Sequence, residues 1–172
     1  MRLKEEVETL FRGLRGQTAW GAKVGWGSFV TVEFGRRSLQ DRHFHGDWHV
    51  WLYQCDWTLK SKTHEMANSE SKKGLMQAAV ENLNGRQLLD TSFDPKRMGT
   101  TFTFEGNVVL RCEPYADAKP DEQCWMLFMP DNQVVTLDAR GLTYEPASDN
   151  SRRKPEPSVQ AAEAGRQVRF QD

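Results

Sequence analysis

Gly27-Ser28-Phe29-Val30-Thr31-Val32-Glu33 and Gly99-Thr100-Thr101-Phe102-Thr103-Phe104-Glu105 carry one pattern. Each opens on glycine, runs through β-branched and aromatic residues, and closes on glutamate. That composition suits a half-buried strand. The flanking segments align in the same order. Leu14-Arg15-Gly16 precedes the first stretch and Leu83-Asn84-Gly85 the second. Trp48-His49-Val50-Trp51-Leu52 follows the first and Trp125-Met126-Leu127-Phe128-Met129 the second. Trp57-Thr58-Leu59 then answers to Val135-Thr136-Leu137. An ordered series of matches at a slowly growing offset is the signature of an internal repeat. It predicts an α+β fold of two pseudo-repeated units, about residues 1–70 and 71–145. Each unit is a helix followed by antiparallel strands, and the two share one core. Halves of that size are marginal alone, so 1–145 reads as a single domain.

Local patterns fill in the elements. Leu3, Val7, Leu10, Phe11 and Leu14 fall on one helical face, which Gly13 and Gly16 bring to an end. Leu75, Met76, Ala79, Val80 and Leu83 line a second helix over residues 71–83, stopped by Asn84-Gly85. Strands are predicted over 28–34, 48–53, 100–105, 108–112, 125–129 and 133–137. Gly106-Asn107 and Pro130-Asp131-Asn132 act as turns between neighbours. From Pro146 the apolar periodicity stops, and 146–172 reads as a flexible or partly helical tail. Within it, 159–170 is a weak helical pattern interrupted by Gly165.

Composition limits the function classes. The chain has 172 residues and a formal net charge of -1, which argues against a protein built mainly to grip nucleic-acid phosphates. No apolar run approaches the ~18 residues of a membrane-spanning helix. The N-terminus is charged from Arg2 to Glu8 and lacks a signal-peptide core. Three cysteines without framework spacing point to a reducing compartment. The expectation is a cytoplasmic protein without membrane attachment.

The run helix, Leu-x-Gly, then Gly-Ser-x-x-Thr-x-Glu-Phe-Gly over 27–35 and Trp-x-x-Trp-Leu-Tyr over 48–53 resembles small uncharacterised bacterial proteins, some of the immunity type found in toxin systems. The resemblance spans residues 10 to 140 and rests on turn glycines and strand residues. It implies a cytoplasmic bacterial α+β protein and carries over no catalytic residue.

The segment His43-Phe44-His45-Gly46-Asp47-Trp48-His49 holds the densest candidate chemistry. On one continuous strand, positions 43, 45, 47 and 49 share a side, giving three imidazoles and a carboxylate. His43, His45 and His49 are therefore candidate metal ligands, with zinc the candidate ion. Gly46 is the objection, since it breaks strands or forms bulges. Other assemblies are thinner. Cys55 with His64 or His49 and Asp56 forms a triad only on paper, and a strand cysteine is more often a small buried hydrophobe. Cys112 and Cys124 form a candidate redox pair. Glu33 and Glu105, equivalent in the repeat, could meet as an acid–base pair. Gly21 to Gly27 lacks the Gly-Lys-Ser/Thr ending of a phosphate loop. Phe29, Phe34, Phe102 and Phe104 lack the interleaved basic residues of an RNA-stacking sheet.

Six tryptophans are present, five of them between Trp20 and Trp57. Along 48–53, alternation places His49, Trp51 and Tyr53 on one face and Trp48, Val50 and Leu52 on the other. A strand apolar on both faces is either sandwiched or presents a binding surface. Trp51 and Tyr53, ringed by His49, Arg36 and Arg37, are the candidate protein-binding residues. No catalytic residue stands out. The functional expectation is a non-enzymatic, immunity-like protein that occludes a protein partner, with a metal-binding protein or a metal-dependent enzyme using His43, His45 and His49 as the alternative.

Overall fold

The computed structural model describes residues 2–40 and 42–147. In order come α1 (Arg2–Leu10), a 3-10 turn (Phe11–Leu14), β1 (Trp20–Val24), β2 (Val30–Phe34), β3 (Ser38–Gln40), β4 (His43–His45), β5 (Trp48–Leu52), β6 (Cys55–Lys60) and β7 (Glu65–Asn68). Then follow α2 (Lys73–Glu81), β8 (Leu88–Asp94), β9 (Gly99–Phe104), β10 (Val108–Pro114), β11 (Trp125–Phe128), β12 (Gln133–Asp138) and β13 (Gly141–Pro146). A six-stranded sheet runs β1-β2-β5-β11-β12-β13, a five-stranded sheet runs β7-β6-β10-β9-β8, and β3-β4 forms a separate ribbon. No described helix is long and apolar enough to cross a membrane.

This architecture overturns the expected α+β repeat. Among the described residues strands make up 48% and helices 15%, so the fold is mostly β. Residues 1–70 and 71–145 do not form two units. The first stretch supplies β1, β2 and β5 to the large sheet and β6 and β7 to the small one. The second supplies β8, β9 and β10 to the small sheet and β11, β12 and β13 to the large one. β5 and β11, matched across the supposed repeat, are hydrogen-bonded neighbours, with Leu52 opposite Trp125 and Trp51 opposite Met126. The reason is physical. Alternating residues report an extended backbone but not its pairing partner, and similar patterns recur along any antiparallel protein.

Unanticipated strands account for the excess of β structure. β7, β8 and β13 are edge strands, paired on one side only. An edge strand needs one apolar face at most, so its sequence stays polar. β8 also shifts register between Leu88 and Asp90, which breaks its alternation. The expected tail lies outside the described residues except for Pro146, which ends β13, and Ala147, which is buried.

The two sheets share one apolar core with α1 and α2. Phe34 of the large sheet stacks on Phe104 of the small one, their ring centroids 6.5 Å apart. Phe11 meets Phe102 and Trp125 edge-on, each at 5.1 Å. Two indoles in this core, those of Trp57 and Trp125, find acceptors for their polar N–H groups. Trp57 Nε1 donates to Ser28 O at 2.7 Å and Trp125 Nε1 to Thr100 Oγ1 at 2.9 Å. A Cβ at Gly13 would meet the Trp48 ring at 2.7 Å, so only glycine lets that ring lie against the end of the helical segment. A smaller cluster of Trp51, Met126, Phe128, Val134 and Ala147, with Phe29 and Tyr53, packs on the opposite face of the large sheet.

Candidate functional site: a buried Glu-His-His cluster

β2 and β5 lie side by side in antiparallel register, with Glu33 opposite His49 and Thr31 opposite Trp51. Strand alternation puts these four side chains on the face turned away from the main core. The chain between the two strands leaves as the ribbon β3-β4 and returns at Gly46. A Cβ on Gly46 would sit 2.2 Å from Phe34 O, so the ribbon folds back tightly over the end of β2 only because this residue has no side chain. That return brings His45 over Glu33.

The result is a compact polar niche. Glu33 Oε1 is hydrogen-bonded to His49 Nδ1, and Glu33 Oε2 accepts from the Gly46 N–H at 2.8 Å. His45 Nδ1 stands 3.6 Å from Glu33 Oε1. One ligand atom from each of Glu33, His45 and His49 lies within 4.8 Å of the others. Glu33 and His49 are buried and His45 is nearly so. Burial alone would push the Glu33 carboxyl up. The hydrogen bond and charge of His49, the Gly46 N–H and the nearby His45 more than offset it and hold the carboxyl below its ordinary value. Beside the niche, Thr31 Oγ1 and Trp51 Nε1 are buried without a hydrogen-bond partner. Unsatisfied buried polar atoms are rare and each calls for an explanation.

The histidine set expected from sequence is thus only partly assembled. His45 and His49 come together, while His43 is exposed and sits outside the cluster. Two residues of extended chain carry it about 6–7 Å further along the ribbon. The carboxylate is Glu33, not Asp47, whose Oδ2 instead accepts from the Arg36 N–H at 2.8 Å. A sequence signal for Glu33 exists, a lone acid inside the apolar run Val30-Thr31-Val32-Glu33-Phe34.

Other expected groupings do not form. Glu33 lies in the large sheet, whereas Glu105 follows the end of β9 in the small one and accepts from the exposed Gln87 N–H. Cys55 is fully buried, whereas His64 lies in an exposed turn beside Ser61 and Thr63. Asp56 accepts from Ser69 Oγ at 2.6 Å, so no Cys55-His64-Asp56 triad exists. Cys112 and Cys124 are free thiols that lie close together, with Cys55 beside them. Thiol donation from Cys124 and Cys55 pulls the Cys112 thiol down, against burial, while hydrogen bonding to Cys112 and burial push Cys124 up.

The candidate partner-binding residues divide. Trp51 is 3% exposed and His49 is buried, so neither offers a surface for capture. Tyr53 is half-buried against Phe29, with ring centroids 4.4 Å apart. Arg36 and Arg37 are exposed at the foot of the ribbon, and the Arg37 guanidinium lies 4.5 Å above the Trp20 ring. Trp20 Nε1 in turn donates to Gly35 O at 3.0 Å, which steadies that foot.

Compared with protein-family models, curated proteins and solved structures, the chain matches none of them.

Proposed function

We propose that the protein binds one divalent transition-metal ion through Glu33, His45 and His49. The observation that carries this reading is the convergence of two imidazoles and one carboxylate from β2, β4 and β5 in one buried niche. Two histidines and a carboxylate suit zinc, iron(II) or nickel. Ligands bound at about 2.1 Å around a tetrahedral ion stand about 3.4 Å apart. The 3.6 Å between His45 Nδ1 and Glu33 Oε1 is close to that. Thr31 Oγ1 and Trp51 Nε1, buried without partners on the same sheet face, would suit a further ligand or water held by the ion. A bound ion would also tie the ribbon to the large sheet.

The test is a titration of chelator-stripped protein with zinc, nickel or iron(II). At a hundredfold excess over Kd, one site adds about 2.7 kcal/mol of stability. For a chain of this size that raises Tm by about 5–10 °C. His45→Ala should abolish the equimolar binding, and His43→Ala should leave it intact. No equimolar binding, or equal binding by His45→Ala, sinks the reading.

A specific observation also favours partner binding, moved from Trp51 to the ribbon. Leu39 and Phe44 face each other across β3 and β4 and are 65% and 60% exposed. Arg36, Arg37, Arg42 and His43 surround them in sequence and are also exposed. An apolar pair ringed by arginines suits an acidic partner protein that the ribbon would occlude, as an immunity-like protein would. The double variant Leu39→Asp, Phe44→Asp should keep stability within about 0.5 kcal/mol of the parent, because neither side chain is in the core. It should lose any partner that the parent chain retains in a pull-down. Retention of that partner by the variant counts against the ribbon.

A further inference from the structure

The chain has three cysteines, and all three meet. Their Sγ atoms lie within 4.8 Å of one another, and all three residues are fully buried as free thiols. They arrive from separate places. Cys112 in β10 is paired with Trp57 and Pro114 with Cys55, so Cys55 and Cys112 are diagonal neighbours in the small sheet. Cys124 comes from the large sheet, where its N–H donates to Leu137 O and its carbonyl accepts from the Tyr53 N–H. The triangle therefore bridges the two sheets where the chain crosses from β5 to β6. Buried cysteines are ordinarily inert hydrophobes. Convergence of every cysteine in the chain on one point is a different observation from three scattered core thiols.

We propose that Cys55, Cys112 and Cys124 form a three-coordinate, all-sulfur site for a soft monovalent cation, copper(I). Three sulfurs in a plane about 2.3 Å from a central ion stand about 4.0 Å apart, within the spacing that the side chains allow. An all-sulfur set excludes calcium, magnesium and manganese, which take oxygen ligands. Structural zinc closes its shell with four ligands. Among the described residues no fourth His, Cys, Asp or Glu joins the group, and full burial leaves no open face for a water ligand. Thiolate selects copper(I) among the remaining soft ions. Asp56, next in sequence to Cys55, adds negative potential that favours a cation. This site is independent of Glu33, His45 and His49.

The experiment uses the full chain, reduced and stripped of metal. It is titrated anaerobically with copper(I) against the competing ligand bicinchoninate, and in parallel with zinc(II). One copper(I) per chain should be retained, and X-ray absorption at the copper edge should show sulfur neighbours only. Cys55→Ala, Cys112→Ala and Cys124→Ala should each weaken binding by roughly 100-fold or more, since loss of a mere outer-shell partner already costs 10–100-fold. His45→Ala and His49→Ala should leave copper(I) binding unchanged, which separates this site from the Glu33 cluster. Where an alanine variant does not fold, the absorption spectrum of the parent protein decides. Nitrogen or oxygen neighbours, tighter binding of zinc than of copper(I), or loss of copper to the competitor would each overturn the proposal.

Discussion

Trp125→Ala is expected to cost about 4–5 kcal/mol or more, most of the stability of a typical domain. The indole is fully buried between the sheets, with Phe11 edge-on to its ring. Removing it leaves a cavity that rigid strands from two sheets close only in part. It also strips Thr100 Oγ1 of its donor, and Thr100 is itself fully buried. An orphaned buried hydroxyl adds about 1–3 kcal/mol to the loss. Trp26, 54% exposed, provides the control, and Trp26→Ala should stay within about 0.5 kcal/mol of the parent. Urea denaturation of both variants checks this. A loss below about 2 kcal/mol at Trp125 would mean that the residue is not packed between the sheets as described.

The second large effect is at Glu33. Glu33→Ala removes the acceptor for His49 and for the Gly46 N–H together. Breaking a buried, hydrogen-bonded charged group by removing one partner costs about 3–5 kcal/mol. Glu33→Gln keeps the shape and one acceptor oxygen but not the charge, so its loss should be smaller. The two variants also separate by pH. The folded-state value of the Glu33 carboxyl lies below its ordinary 4.5. Its contribution is then fully present above pH 4.5 and is lost as the pH falls through the lower folded value. The stability of the parent should therefore converge on that of Glu33→Gln as the solution is acidified below 4.5. Parallel pH profiles for the two proteins would show that the Glu33 carboxyl ionises over the same pH range in the folded and unfolded chains, with no lowering on folding.

How much of this was legible beforehand varies with the kind of signal. The helical face of Leu3, Val7, Leu10 and Leu14 was readable because a period near four residues is a local property. Even so, the last turn of that segment tightened into a 3-10 turn where Trp48 approaches Gly13. The Gly106-Asn107 turn was readable too, and both residues take positive φ there. β7, β8 and β13 were not readable, since edge pairing asks little of the side chains and β8 carries a bulge. The supposed repeat failed on the same point. Val30 to Phe34 and Phe102 to Phe104 advertise strands, but nothing in them states that β2 joins β5 while β9 joins β8 and β10.

The candidate site divides along the same line. Clustered histidines between 43 and 49 were visible in the sequence, and so was the doubt that Gly46 raised. The fold turned that glycine from an objection into the hinge that delivers His45 to Glu33 while His43 stays outside. The amino-acid sequence by itself determined the two helical segments, the apolar central strands with their faces, and that three cysteines and four histidines are available. Only the tertiary structure decided that Glu33 is the partner of His49, that Trp51 is covered, and that Cys55, Cys112 and Cys124 converge. The physical reason is range. Periodicity and turn chemistry act over a few residues, whereas strand pairing and sheet packing join residues far apart in the chain, through contacts that no local pattern encodes.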